Sequence, residues 1–148
     1  TYATDHRIAG IRKALQAHGL ELPQSHIAFA DFDAESGREA AVRLLESAPA
    51  LTAIIAGNDT IALGVMRAAR ERGMSLPRDL SIIGYDDLPF AAYLEPPLTT
   101  IRTNPVEQGR LATEMLIGLI KEKTPAQPAE TIGTLFVERG SCSFARIS

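Results

Sequence analysis

Apolar and polar residues follow one another along this chain in blocks of two different periods. Ile8, Ile11, Ala14 and Leu15 recur at the three- and four-residue spacing of a helix face. Asp5 ahead of them is a candidate cap and Gly19 behind them a stop, which predicts a helix from residue 5 to about residue 18. The run HIAFA, 26–30, predicts a short strand. Ala41, Leu44 and Leu45 predict the inward face of a helix over 34–47, with Pro49 beyond its end. A strand over 52–57 and a helix over 60–72 follow, the helix stopping at Gly73. Pro77, Arg78 and Asp79 then turn the chain into a strand over 80–85. Strands alternating with helices of about a dozen residues predict an α/β fold on a parallel sheet.

The pattern then changes. Residues 88–94 are short and apolar, and Pro96-Pro97 breaks them. LTTIRT, 98–103, reads as extended chain. Asn104-Pro105 suits the start of a helix running to about residue 122, with Leu111, Met115, Leu116 and Leu119 as its apolar face. A loop over 124–128 and a last strand over 134–138 complete the reading.

Composition narrows the class without naming a function. The 148 residues suffice for one domain with a real core, and 45% hydrophobic with 22% charged is ordinary for a soluble globular protein. A net charge of −3 argues against this stretch being a nucleic-acid-binding surface. No apolar run approaches the roughly 20 residues that span a bilayer. Cys142 is alone, which excludes an internal disulfide and a Cys-based metal cluster. The chain opens at Thr1 into what reads as a loop and a helix with no strand before it, so it is expected to be a fragment of a longer protein.

Candidate chemistry gathers at two strand ends. Asn58 and Asp59 follow the apolar run 52–56, and Asp86 and Asp87 follow the run 80–85. In an open parallel sheet both ends lie on one rim, where small ligands are held. Asn58 or Asp59 either caps the next helix or meets a ligand, since an Asn amide offers both donor and acceptor. Asp86 and Asp87 either form a turn or accept hydrogen bonds from adjacent hydroxyls. Phe32 either stacks on an apolar ligand face or belongs to the core. Asp31 and Asp33 suggest metal only weakly, because Asp33 or Ser36 serves more simply as start-of-helix chemistry. Arg7 is expected in the first helical turn, where the dipole mildly disfavours a cation, which hints at pairing with Asp86 or a ligand oxygen. His6, His18 and His26 lack metal spacing. GxSxG, P-loop and HExxH patterns are absent, and GSCS at 140–143 does not read as a nucleophile site. Nothing assembles an acid, a base and an activated nucleophile, so no enzyme, metal or cofactor is expected.

Five motifs in series carry a family resemblance: RIAGIRKAL at 7–15, AIIAGNDTIALGVMRAARERG at 53–73, LPRDLSIIGYDD at 76–87, PPLTTIRTN at 96–104 and LFVERGS at 135–141. Their order and spacing, from about residue 5 to 141, resemble the LacI/GalR family of bacterial transcription regulators. The resemblance implies a three-layer, parallel-sheet, periplasmic-binding-protein-like (type I) effector domain, of which this chain is mostly the C-terminal subdomain. It implies that 1–103 form that subdomain, that the helix and loop at 104–132 belong with the N-terminal subdomain, and that 133–148 return. It implies effector contacts at Arg7, Phe32, Asn58 and Asp86, with Thr103 as a weaker match, while Asp59 orders the turn. It implies a dimer interface with Leu63, Met66, Tyr93 and Leu94 as candidates.

The expected function is therefore the ligand-binding and dimerisation part of a cytoplasmic repressor. Its effector would be a sugar, a sugar derivative or a nucleobase, and it would reach operator DNA through an upstream domain absent from this chain. The alternative is a periplasmic sugar-binding protein of an importer, which shares the fold.

Overall fold

The backbone of the computed structural model is described for residues 2–121 and 129–144. Along it run α1 (Tyr2–Ala17), α2 (Ala34–Ser47), β1 (Ala53–Ile55), α3 (Asp59–Glu71), β2 (Ser81–Ile83), β3 (Thr100–Arg102), α4 (Pro105–Ile120) and β4 (Leu135–Val137), with short 3-10 turns at Gln24–His26 and Pro89–Tyr93. The expected loop over 124–128 falls outside the described residues.

Helix starts follow the polar residues placed before them. The Ser36 amide donates to Asp33 Oδ1 at 2.8 Å, the Ile61 amide to Asn58 Oδ1 at 2.7 Å and the Glu107 amide to Asn104 Oδ1 at 3.1 Å. Each such cap contributes about 1 kcal/mol. Gly73, at φ +71°, closes the turn after α3. The first helix departs from expectation. It begins at Tyr2, which places Asp5 inside its first turn rather than at its cap and moves Arg7 beyond the first turn, so the dipole argument about Arg7 does not apply.

β1 and β2 are parallel, with Ala53 opposite Ser81 and Ile55 opposite Ile83. The ladder continues through parallel bridges from Ile83 to Thr99 and from Asp86 to Arg102. β3 then pairs antiparallel with β4, Thr100 opposite Val137. The α/β alternation and the parallel pair agree with the pattern reading. The predicted strand at 26–30 does not form. Ile27 has extended backbone, but a strand exists only as a member of a ladder, and no described segment pairs with this one.

The core lies between α2, α3 and the β1–β2 pair, where Ala41, Leu45, Val65, Met66, Leu80, Ile82 and Leu98 are buried together. α2 and α3 cross unusually closely. A Cβ on Gly64 would lie 2.0 Å from the Ala34 carbonyl oxygen, and one on Gly37 would lie 2.7 Å from that of Ile61. Only glycine lets the two backbones approach so far. α4 is different: it buries none of its residues, and Val106, Leu116, Leu119 and Ile120 are exposed.

Candidate ligand-binding site

The parallel pairing of β1 and β2 sends both carboxyl ends to one rim. The Ala56 amide donates to the Ile83 carbonyl and the Asp59 amide to the Tyr85 carbonyl, both at 2.8 Å, so the two strand ends are stitched side by side.

Asn58 caps α3 through Oδ1. That bond fixes the amide orientation and leaves its NH2 group as the free polar end, a donor. Asp59, the next residue, is fully buried. Its Oδ1 accepts from Thr100 Oγ1 at 2.6 Å and its Oδ2 from the Leu88 amide at 2.7 Å. Asp59 thus braces the turn after β2 against β3 from inside. A Cβ on Gly84 would lie 2.2 Å from Asp59 Oδ1, so the glycine before Tyr85 makes room for this carboxylate.

The two aspartates after β2 separate into different tasks. Both have left-handed backbone, Asp86 at φ 107° and Asp87 at φ 56°, a region that aspartate tolerates better than most residues. Asp87 Oδ2 accepts from Arg102 Nε and Oδ1 from Arg139 Nη2, each at 2.6 Å. Burial pushes its carboxyl up, but the hydrogen bonds and charges of Arg139 and Arg102 outweigh that and hold it below its ordinary value. Asp86 receives no such pair among the described residues. Burial and the neighbouring Asp59 carboxylate push its carboxyl up, and Arg7 offsets part of the rise.

Arg7 reaches this rim from α1. Its Nη1 donates to the Gly57 carbonyl at 2.8 Å, and its guanidinium carbon lies 3.7 Å from the centroid of the Tyr85 ring. Of the two expected partners, Asp86 or a ligand oxygen, Asp86 makes no direct bond to Arg7 among the described residues, although it is close enough to feel the charge.

The remaining candidates divide. Phe32 is 82% exposed on the bend before α2, which removes the core reading. No hydrogen bond or ring contact among the described residues ties it to Arg7, Asn58 or Asp86. Thr103 is half-buried just after β3, whose Arg102 bridges to Asp86. Tyr93 is 88% exposed, while Leu63 and Leu94 are half-buried. Met66 is corrected: it is fully buried inside the chain, because its side of α3 faces the core, and it has no surface to offer a second subunit.

The polar partners that pattern reading missed are Tyr85, Thr100, Arg102 and Arg139. Arg139 lies inside the LFVERGS motif, but its bond to Asp87 spans 52 residues and leaves no local signal. The GSCS segment is structural. Ser141 is buried, its Oγ accepting from the Thr99 amide at 2.8 Å and donating to the Ile82 carbonyl at 2.6 Å. Among the described residues no group of three His, Cys, Asp or Glu is placed to hold a metal ion, and no helix is long and apolar enough to cross a membrane.

Comparison with known proteins agrees with this fold. The periplasmic binding protein-like domain matches residues 1–142. The ribose operon repressor of Escherichia coli (strain K12) is 36% identical over 135 residues, covering 91% of this chain and 41% of the repressor. The chain thus spans about two-fifths of the length of the curated relatives it matches. Among solved structures, the transcriptional regulator CelR in complex with cellobiose superposes with a TM-score of 0.87 at 32% identity, over 91% of this chain and 41% of that one. A LacI family transcriptional regulator from Arthrobacter sp. FB24 in complex with lactose superposes at 0.68 with 36% identity, over 77% of this chain and 43% of that one. With its parallel pair, its polar rim and its motif series, the chain belongs to the periplasmic-binding-protein-like domain family, in the form carried by LacI-type regulators.

Proposed function

We propose that this chain is the effector-sensing part of a transcriptional regulator, and that its rim binds a sugar or a closely related hydroxyl-bearing metabolite. The observation that carries the reading is the convergence of Arg7 and Asp86 beside Asn58, the residue that caps α3. A vicinal diol offers hydroxyl hydrogens to the Asp86 carboxylate and oxygen lone pairs to the Arg7 guanidinium and the Asn58 NH2 group. Phe32, exposed before α2, supplies an aromatic face for the apolar side of such a ligand. Thr103 adds a hydroxyl from just past the end of β3. The related structures that hold cellobiose and lactose favour a sugar over a nucleobase. The relatives' names, a repressor and regulators, favour this reading over a sugar-binding protein of an importer.

In the whole protein, residues 1–103 and 133–148 form one subdomain, and 104–132 belong with a second. The exposed apolar positions of α4 support that division. A ligand touching both subdomains favours their closed arrangement by its differential affinity, which alters the hold of an upstream domain on operator DNA in the cytoplasm. Tyr93, with Leu63 and Leu94, supplies part of a homodimer surface.

Calorimetric titration of the full-length protein with ribose, cellobiose and lactose tests the reading. Asp86→Ala and Arg7→Ala should each weaken sugar binding about tenfold or more, the loss expected for a charged group hydrogen-bonded to ligand. Both should leave the melting temperature nearly unchanged. Unaltered affinity in either variant would overturn the assignment.

A further inference from the structure

Tyr85 holds the last position before the Asp86–Asp87 bend, and its backbone carbonyl is tied to the Asp59 amide at the start of α3. Its ring therefore has a fixed origin on the rim. Arg7 arrives from another element, on a long side chain that is exposed along α1. One hydrogen bond, from Nη1 to the Gly57 carbonyl, fixes one corner of the guanidinium. A single corner leaves the plane free to rotate about that bond. The Tyr85 face 3.7 Å away supplies the missing constraint, because stacking sets the plane itself. With the plane fixed, the N–H groups that Gly57 does not take are held in defined directions, near enough to Asp86 for its carboxyl to feel the charge.

We propose that Tyr85 is a positioning residue of the ligand site: its ring face holds the Arg7 guanidinium in the plane from which its free N–H groups meet ligand oxygens next to Asp86. The proposal rests on the reading that Arg7 and Asp86 bind a hydroxyl-bearing ligand. The ring face carries the effect, and the phenolic hydroxyl does not. A pre-ordered guanidinium loses less rotational freedom on binding than a free one, which is why the stack acts on affinity.

The test uses the full-length protein as wild type, Tyr85→Phe, Tyr85→Leu, Tyr85→Met and Arg7→Ala. Two quantities are read: the ring-current shift of the Arg7 side-chain protons by NMR, and the affinities for ribose, cellobiose and lactose by calorimetry. Tyr85→Phe should keep both the shift and the affinity. Tyr85→Leu, with Tyr85→Met as the second ringless variant, should lose the shift and weaken binding about two- to fivefold, the range of an exposed cation–π contact. Adding either ringless change to Arg7→Ala should cost nothing further. Wild-type affinity in both ringless variants, or a loss that persists undiminished in the Arg7→Ala background, would overturn the proposal. Failure of the underlying site reading looks different: Arg7→Ala itself would leave sugar affinity unchanged while the ring-current shift persists in the wild type.

Discussion

The Thr100 hydroxyl donates to the Asp59 carboxylate across 2.6 Å, with both side chains fully buried. The second carboxylate oxygen of Asp59 receives the Leu88 amide, so one buried anion joins the start of α3, the turn after β2 and β3. Asp59→Ala should cost about 3 kcal/mol or more, since two hydrogen bonds to a charged group are lost and their donors are left unpaired. Asp59→Asn keeps one acceptor and should cost about 1–2 kcal/mol. Urea midpoints of the purified variants check both values.

The α2–α3 crossing is set by backbone proximity, so the smallest side chain should be enough to disturb it. Gly64→Ala puts a methyl group 2.0 Å from the Ala34 carbonyl and should destabilise the protein by about 2–3 kcal/mol. Gly10→Ala is the matched contrast. A Cβ there meets nothing within 4 Å, and the site is an exposed helix position, so this change should stabilise by about 0.5–1 kcal/mol. Thermal melts that fail to separate the two in sign would refute the close-crossing account.

Asp86 and Asp87 should give opposite pH signatures. Asp87 has a folded-state pKa below its ordinary value. Its contribution is therefore present above the unfolded carboxylate range, about pH 4, and is lost as pH falls through the depressed value. Asp86 has a raised folded-state pKa. Its contribution is complete below the unfolded value and is lost as pH rises through the raised one. Asp87→Asn should lower stability at neutral pH and flatten the acid limb of the stability curve. Asp86→Asn should leave neutral stability equal or slightly higher. Denaturation curves taken between about pH 3 and about pH 7 distinguish the two.

Assembly should respond to Tyr93 and not to Met66. Met66→Ala empties a fully buried site and should cost about 2–5 kcal/mol of stability. Tyr93→Asp places a charge on an 88% exposed position and should leave the fold intact while weakening self-association of the full-length protein. Sedimentation equilibrium that shows equal association constants for wild type and Tyr93→Asp would remove Tyr93 from the subunit surface.

Local chemistry was legible where one residue acts on its immediate neighbours. Asp33, Asn58 and Asn104 each announce a helix start and each caps one. The resemblance offered Met66 for the subunit surface, but sequence alone cannot say whether an apolar helical residue meets the core or another subunit. The strand expected at 26–30 failed for a related reason: extended propensity is local, whereas pairing is not. The rim shows the same division. Its position followed from two parallel strand ends, yet the difference between Asp86 and Asp87 depends on Arg102 and Arg139, and nothing in a DD pair reveals which carboxylate those arginines will take.

On the proposed site Asn58 has two uses, cap and ligand donor, which narrows what evolution can do at that corner of the rim. A residue that caps the start of α3 and, on the proposed site, also faces ligand exchanges most readily with the other good helix caps, aspartate, serine, threonine and glycine. Swapping among them changes the polarity offered to a ligand from amide donor to carboxylate or hydroxyl without unfastening the helix. Larger or apolar replacements would alter selectivity only at the expense of α3, the helix against which α2 is packed. On the proposed site, divergence in ligand preference at this corner should therefore run through those few capping residues, while Phe32, exposed on a bend with no hydrogen bond or ring contact shown among the described residues, is free to vary with the shape of the ligand.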